Sequence, residues 1–108
     1  MVKTINVVIA EDEAIIRLDL KESLEAEGYE VIGETGRGDE VIDLVRKLEP
    51  DLVILDIKMP GMNGLDAAKV ISEEGLAAVI LLTAFSQQDL IKEAGNAGVL
   101  AYLVKPFQ

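Results

Sequence analysis

Apolar residues cluster in short runs at Ile5 to Ala10, Leu52 to Asp56, Ala78 to Thr83 and Ala101 to Val104, each rich in Val, Ile and Leu and bounded by charged or turn-forming residues. Runs of this kind predict strands buried on both faces, as in a parallel sheet, rather than half-solvated strands with strict alternation. Between them the period changes to that of a helix. Ile16, Leu20 and Leu24 share one face, and Val41, Leu44, Val45 and Leu48 form a cleaner stripe. Leu65, Ala68 and Ile71 predict a third helix, and Ser86 followed by Asp89, Leu90, Ile91 and Ala94 a fourth with a capping-box-like start.

A weaker strand is expected over Glu30 to Thr35, where Val31 and Gly33 alternate with Ile32 and Glu34, a pattern suited to a sheet edge. Gly28 just before it is placed to end the first helix. The resulting order, β-α-β-α-β-α-β-α-β, with right-handed crossovers, predicts a doubly wound α/β fold with helices on both faces of a parallel sheet. Residues 1–108 read as one domain without repeat, linker or low-complexity tract. Lys105-Pro106-Phe107-Gln108 follows the fifth strand directly. One face of the sheet is therefore expected to have a helix fewer than the pattern demands, and to be filled by a following helix or by another molecule.

Charge and composition narrow the chemistry. Twenty acidic residues against ten basic ones give a net charge of -10, which opposes binding to a phosphate backbone. The chain has no cysteine and no histidine, so thiolate and imidazole ligands are unavailable and any metal must be held by oxygen. Neither a secretory leader pattern nor an apolar run of membrane-spanning length is present, and a cytoplasmic location is expected by default.

In open α/β sheets, ligands collect beyond the carboxyl ends of the strands. Strand one ends in Glu11-Asp12-Glu13, strand three in Asp56, strand four in Thr83 and strand five in Lys105. Acids, a hydroxyl and an amine thus converge on one rim, a set suited to phosphate on a carboxylate. Asp56 is placed as a nucleophile that would form an acyl phosphate. Glu11, Asp12 and Asp56 together favour a hard divalent cation such as Mg²⁺, with the backbone carbonyl of Lys58 as a further oxygen ligand. Lys105 would pair with one phosphoryl oxygen, and Thr83 would hydrogen-bond another. Plainer readings exist for single members: Glu13 fits a solvated surface acid, Thr83 a strand-end hydroxyl bonded to backbone, Lys105 half of a structural ion pair. Asp56 is harder to dismiss, because it terminates the all-apolar run Leu52-Val-Ile-Leu, where a carboxylate needs partners or a role.

These residues resemble those of bacterial response-regulator receiver domains: an acidic pair after strand one, then Asp56-Ile-Lys-Met-Pro-Gly-Met-Asn-Gly, Leu82-Thr-Ala and Lys105-Pro-Phe. The likeness covers essentially the whole chain. It implies a flavodoxin-like five-stranded sheet in the order 2-1-3-4-5 and a phosphorelay switch rather than a turnover enzyme, one that catalyses only its own phosphorylation and dephosphorylation. By the same resemblance Glu11 and Asp12 are metal-binding acids, Asp56 the phosphoacceptor, Thr83 the switch hydroxyl and Lys105 the phosphate-contacting amine. Glu11 stands where aspartate is common, and its longer side chain suggests contact with metal through water. Pro106 would follow a cis peptide bond. Tyr102 matches the switch aromatic, although a strand tyrosine with a packed ring and a wet hydroxyl reads equally well. Ala84 matches the small residue that leaves the phosphorylated centre open.

The partners implied are a sensor histidine kinase and an output domain beyond Gln108, with a homodimer compatible; neither nucleic acid nor membrane is expected to bind this domain directly. Ala10-Glu-Asp-Glu, Ile16-Arg-Leu-Asp-Leu and Ala101-Tyr-Leu-Val-Lys-Pro-Phe resemble the subgroup whose receiver precedes an RNA-binding antiterminator (ANTAR) domain. Two rivals stand beside this reading. A pseudo-receiver that binds proteins without accepting phosphate is opposed by the intact Asp56, Thr83 and Lys105, and an aspartyl-phosphate phosphatase by Lys58, which breaks the Asp-x-Asp pattern. Gly33, Gly36 and Gly38 follow strand two in the wrong order for a dinucleotide fingerprint and read as turn glycines.

Overall fold

The structure, a computed structural model, describes residues 4–84 and 101–105, with only the backbone given at 83, 84 and 102–105. Among these residues the chain runs β1 (Asn6–Ala10), α1 (Ala14–Ala26), β2 (Glu30–Thr35), α2 (Gly38–Leu48), β3 (Leu52–Asp56), α3 (Gly64–Glu73), β4 (Ala78–Ala84) and β5 (Ala101–Lys105). The strands form one parallel sheet in the order β2-β1-β3-β4-β5, as expected. The helix expected from Ser86 lies outside the described residues.

Two-residue alternation along the strands divides the apolar runs between two cores. Val8, Ala10, Val53, Leu55, Val79 and Leu81 face α2 and α3, where they meet Val41, Val45, Ala68 and Ile71. Their neighbours Val7, Ile9, Ile54 and Leu82 turn to the other face, against Leu20 with Leu24 packed alongside. Because both faces are covered, β1 and β3 need no polar positions, which is why they read as unbroken apolar runs. Each fully buried Val, Leu or Ile here contributes roughly 1.5–3 kcal/mol. Ile5, expected to begin the first strand, precedes β1 and is 42% exposed.

The edge strand departs from simple alternation. Val31 pairs with Val7, but the next partner of β1, Val8, is Gly33, so Ile32 is the extra residue of a bulge. The bulge turns both Ile32 and Gly33 toward α2: Ile32 packs on that core, and a Cβ on Gly33 would lie 2.6 Å from Leu48 Cδ1. Glycine lets the α2 leucines close over the edge.

Helix boundaries follow local chemistry. Gly28, at φ 95°, ends α1 as its position suggested. On α2, Asp39 and Glu40 in the first turn and Arg46 and Lys47 in the last complement the helix dipole. The side chain of Asn63 accepts the Leu65 N–H at 2.7 Å and caps α3. No helix among the described residues is long and apolar enough to cross a membrane.

Candidate functional site

From β1 the chain goes outward to β2 and then returns across β1 to β3, so the strand order reverses between β1 and β3. Loops from the two strands part there and leave a crevice at their carboxyl ends. Glu11 follows β1 immediately, its N–H donating to the Thr35 carbonyl at 3.0 Å, and is fully buried. Asp56 ends β3 and is 4% exposed, whereas Asp12 is open to solvent. One carboxylate oxygen from each of these three residues lies within 4.8 Å of the other two. The sequence places three acids at strand ends; the fold brings them to one point. Glu13, read as a surface acid, is exposed at the start of α1.

The loop after Asp56 is held by close backbone approach. The Gly64 N–H donates to the Ile57 carbonyl at 2.7 Å, and a Cβ on Gly64 would overlap the Asp56 carbonyl oxygen. Across the loop, the Gly38 N–H donates to the Pro60 carbonyl at 3.0 Å, and a Cβ there would overlap the carbonyl of Met62. The N-terminal turns of α2 and α3 therefore clamp residues 57–63 from two sides. Between this loop and Asp12 opens a cleft of about 390 Å³, lined by Asp12, Ile57, Lys58, Met59, Pro60 and Asn63. Lys58 is exposed where it lines the cleft.

Two buried carboxylates at this spacing repel by on the order of 3 kcal/mol at an effective dielectric of 20. An all-oxygen, anionic, partly open donor set fits a hard divalent cation, which would remove that repulsion, and it offers no nitrogen or sulfur to a softer metal.

The register carries the rim across the sheet. Asp56 pairs with Leu82, so the backbone of Thr83 lies one step further along β4, and Ala84 pairs with Lys105 at the end of β5. Thr83 and Lys105 thus stand on the same rim as Asp56. Their side chains, that of Tyr102, and Pro106 lie outside the described residues.

Arg17 is a site neighbour that the sequence reading did not single out. From α1 it donates from Nη1 to the Glu11 carbonyl oxygen at 2.5 Å and from Nε to Glu34 at 3.2 Å. The available signal was a basic residue one turn into the helix that follows the acidic run Glu11-Asp12-Glu13. The loop clamp had a weaker one: Asn63-Gly64 ahead of a helical apolar pattern marks a capped helix start, but the approach of Gly38 to Met62 is tertiary.

Elsewhere charges pair in the ordinary way. Hydrogen bonds from Arg37, reinforced by its charge, hold the Asp39 carboxyl below the usual carboxylate range; Arg46 is raised by its hydrogen bonds to Glu74.

Known proteins share this fold. Residues 7–108 match the response regulator receiver domain family. The chain is 55% identical over 101 residues to the transcriptional regulatory protein PdtaR of Mycobacterium tuberculosis, covering 94% of this chain but 49% of that protein. It thus spans about half the length of that relative. It is 43% identical to the chemotaxis protein CheY of Thermotoga maritima, covering 94% of this chain and 86% of that one. Among solved structures, a DNA-binding response regulator of the LuxR family from Staphylococcus aureus superposes with a TM-score of 0.89 at 31% identity, over 96% of this chain and 88% of that chain. With its acids gathered at the β1/β3 crevice of a 2-1-3-4-5 sheet, the chain belongs to the response-regulator receiver domains of two-component phosphorelay signalling.

Proposed function

We propose that this domain is a Mg²⁺-dependent phosphoacceptor switch in which Asp56 receives a phosphoryl group from a sensor histidine kinase. The observation that carries the reading is the gathering of Glu11, Asp12 and Asp56 within 4.8 Å at the strand-order reversal. An oxygen of Asp56 attacks phosphorus in line; the new O–P bond forms as the bond from phosphorus to the donor nitrogen breaks, and its electron pair leaves with the imidazole. Glu11, Asp12, Asp56 and the Lys58 carbonyl would hold Mg²⁺, which when bound supplies charge neutralisation to the carboxylates and the incoming phosphoryl oxygens. Lys105 offers a point charge to one phosphoryl oxygen, and Thr83 a hydroxyl to another.

The added charge at Asp56 draws Thr83 and Lys105 toward it, and Tyr102 follows. The population then shifts toward a surface that partners distinguish. The domain thus acts on its own Asp56 and turns over no separate substrate. Its output lies in a domain beyond Gln108, for which RNA-binding antitermination is the reading we favour. Support comes from the motif flavour of the chain and from the 55% identity to a transcriptional regulatory protein of about twice this length. A following helix completing the sheet, a cytoplasmic location and a homodimer belong to the same reading, and the net charge of -10 argues against direct nucleic-acid contact by this domain.

Incubation with a small phosphodonor and Mg²⁺, followed by intact-mass measurement, tests the proposal. The wild type is expected to gain one phosphoryl mass and Asp56→Asn none. Labelling of Asp56→Asn contradicts the assignment, and a folded, Mg²⁺-loaded wild type that stays unlabelled supports the pseudo-receiver instead.

A further inference from the structure

Two consecutive residues at a strand end ordinarily send their side chains to opposite sides, yet Glu11 and Asp12 both bring a carboxylate oxygen into the 4.8 Å cluster with Asp56. The orientation of the peptide that joins them is therefore decisive. Both backbone groups of Glu11 are engaged: its N–H by the Thr35 carbonyl at 3.0 Å, its C=O by Arg17 Nη1 at 2.5 Å. That carbonyl belongs to the peptide linking the two acids. The guanidinium is itself tethered, Nε lying 3.2 Å from Glu34 on β2, whose other carboxylate oxygen lies 3.4 Å from Lys21 on α1. Its side chain is 24% exposed, so the bond to the carbonyl is largely shielded from water.

We infer that Arg17 is a positioning residue for the metal site: it fixes the Glu11–Asp12 peptide so that the two carboxylates converge. The inference rests on the reading of the acidic cluster as a Mg²⁺ site. It has a signature that distinguishes it from simple electrostatics. A cation beside a cation site repels the incoming ion, so deleting its charge alone tightens Mg²⁺ binding. Deleting a group that orients the ligands weakens it, typically about tenfold or more. The two effects have opposite signs.

The test is a calorimetric titration of Mg²⁺ into wild type, Arg17→Met and Arg17→Lys, with unfolding midpoints recorded in Mg²⁺-free buffer. Arg17→Met keeps the apolar stem and removes the guanidinium; its Kd for Mg²⁺ is expected to rise about tenfold. Arg17→Lys keeps the charge and one donor and is expected to recover most of that loss. An unchanged or tighter Kd for Arg17→Met overturns the inference, as does Arg17→Lys binding as weakly as Arg17→Met. Should the midpoint show that Arg17→Met does not fold, Arg17→Gln, whose amide is too short to bridge the same atoms, serves with the same expectation. Wild-type Mg²⁺ binding that is indifferent to Asp56→Asn overturns the metal-site reading and this inference together. An intact wild-type site with an indifferent Arg17→Met overturns the inference alone.

Discussion

On the outer surface, Arg46 lies 2.8 Å from Glu74 and Arg37 2.9 Å from Asp39, opposite charges meeting in water. At the β1/β3 crevice the arrangement is reversed, for buried Glu11 and Asp56 gather with Asp12 within 4.8 Å, all of one sign. The exposed pairs are screened by solvent and contribute little to stability. Glu11 and Asp56, both buried, repel one another by on the order of 3 kcal/mol when ionised, and they stand at the carboxyl ends of neighbouring strands. Like charges gathered in a crevice make this part of the molecule the candidate for chemistry.

Predictions that separate the two regions range from large effects to small ones. The double variant Glu11→Gln, Asp12→Asn removes both acids at the end of β1, and its affinity for Mg²⁺ should fall roughly 100-fold or more, read by calorimetric titration. Gly64→Ala forces a methyl group into the Asp56 carbonyl, and denaturant unfolding should show a loss of about 2–3 kcal/mol together with impaired Mg²⁺ binding. Glu74→Ala breaks the shortest exposed pair among the described residues but should leave the denaturant midpoint almost unchanged.

The pH response of the outer pairs should be smaller still. Because Arg37 depresses the Asp39 carboxyl, its contribution is present above the usual carboxylate range and is lost as pH falls through the depressed value. An NMR carboxyl titration should find the Asp39 midpoint moving up toward the ordinary range in Arg37→Ala, with little change in stability, since both groups are solvated.

How much of this was legible in the chain depended on whether the determinant was local. Val7 to Ala10 and Val53 to Leu55 are buried from both sides, so their apolar runs announced central parallel strands, and Leu65, Ala68 and Ile71 announced the buried face of α3. On α2 the expected stripe proved half right in depth: Val41 and Val45 are fully covered, Leu44 and Leu48 pack from its edge, and Ile42, off the stripe, is buried. The bulge at Ile32 was not visible, because Val31-Ile32-Gly33 satisfies a two-residue period equally well until Leu48 is placed over it. At the site, acids at strand ends could be read directly, since the topology sets the carboxyl ends of β1 and β3 side by side, although alternation alone would not have brought both Glu11 and Asp12 to Asp56. Arg17 could not, because its partner is a backbone carbonyl on another element, and backbone acceptors leave no trace in the identity of the residue that carries them.

The central claim, that the three acids are assembled to hold a cation, is tested most directly by comparing the unfolding of wild type and Asp56→Asn with Mg²⁺ and with chelator. Mg²⁺ at roughly 100 times its Kd should stabilise the wild type by about 2.7 kcal/mol over its value in chelator, while Asp56→Asn gains much less. A wild type as indifferent to Mg²⁺ as Asp56→Asn would contradict the account.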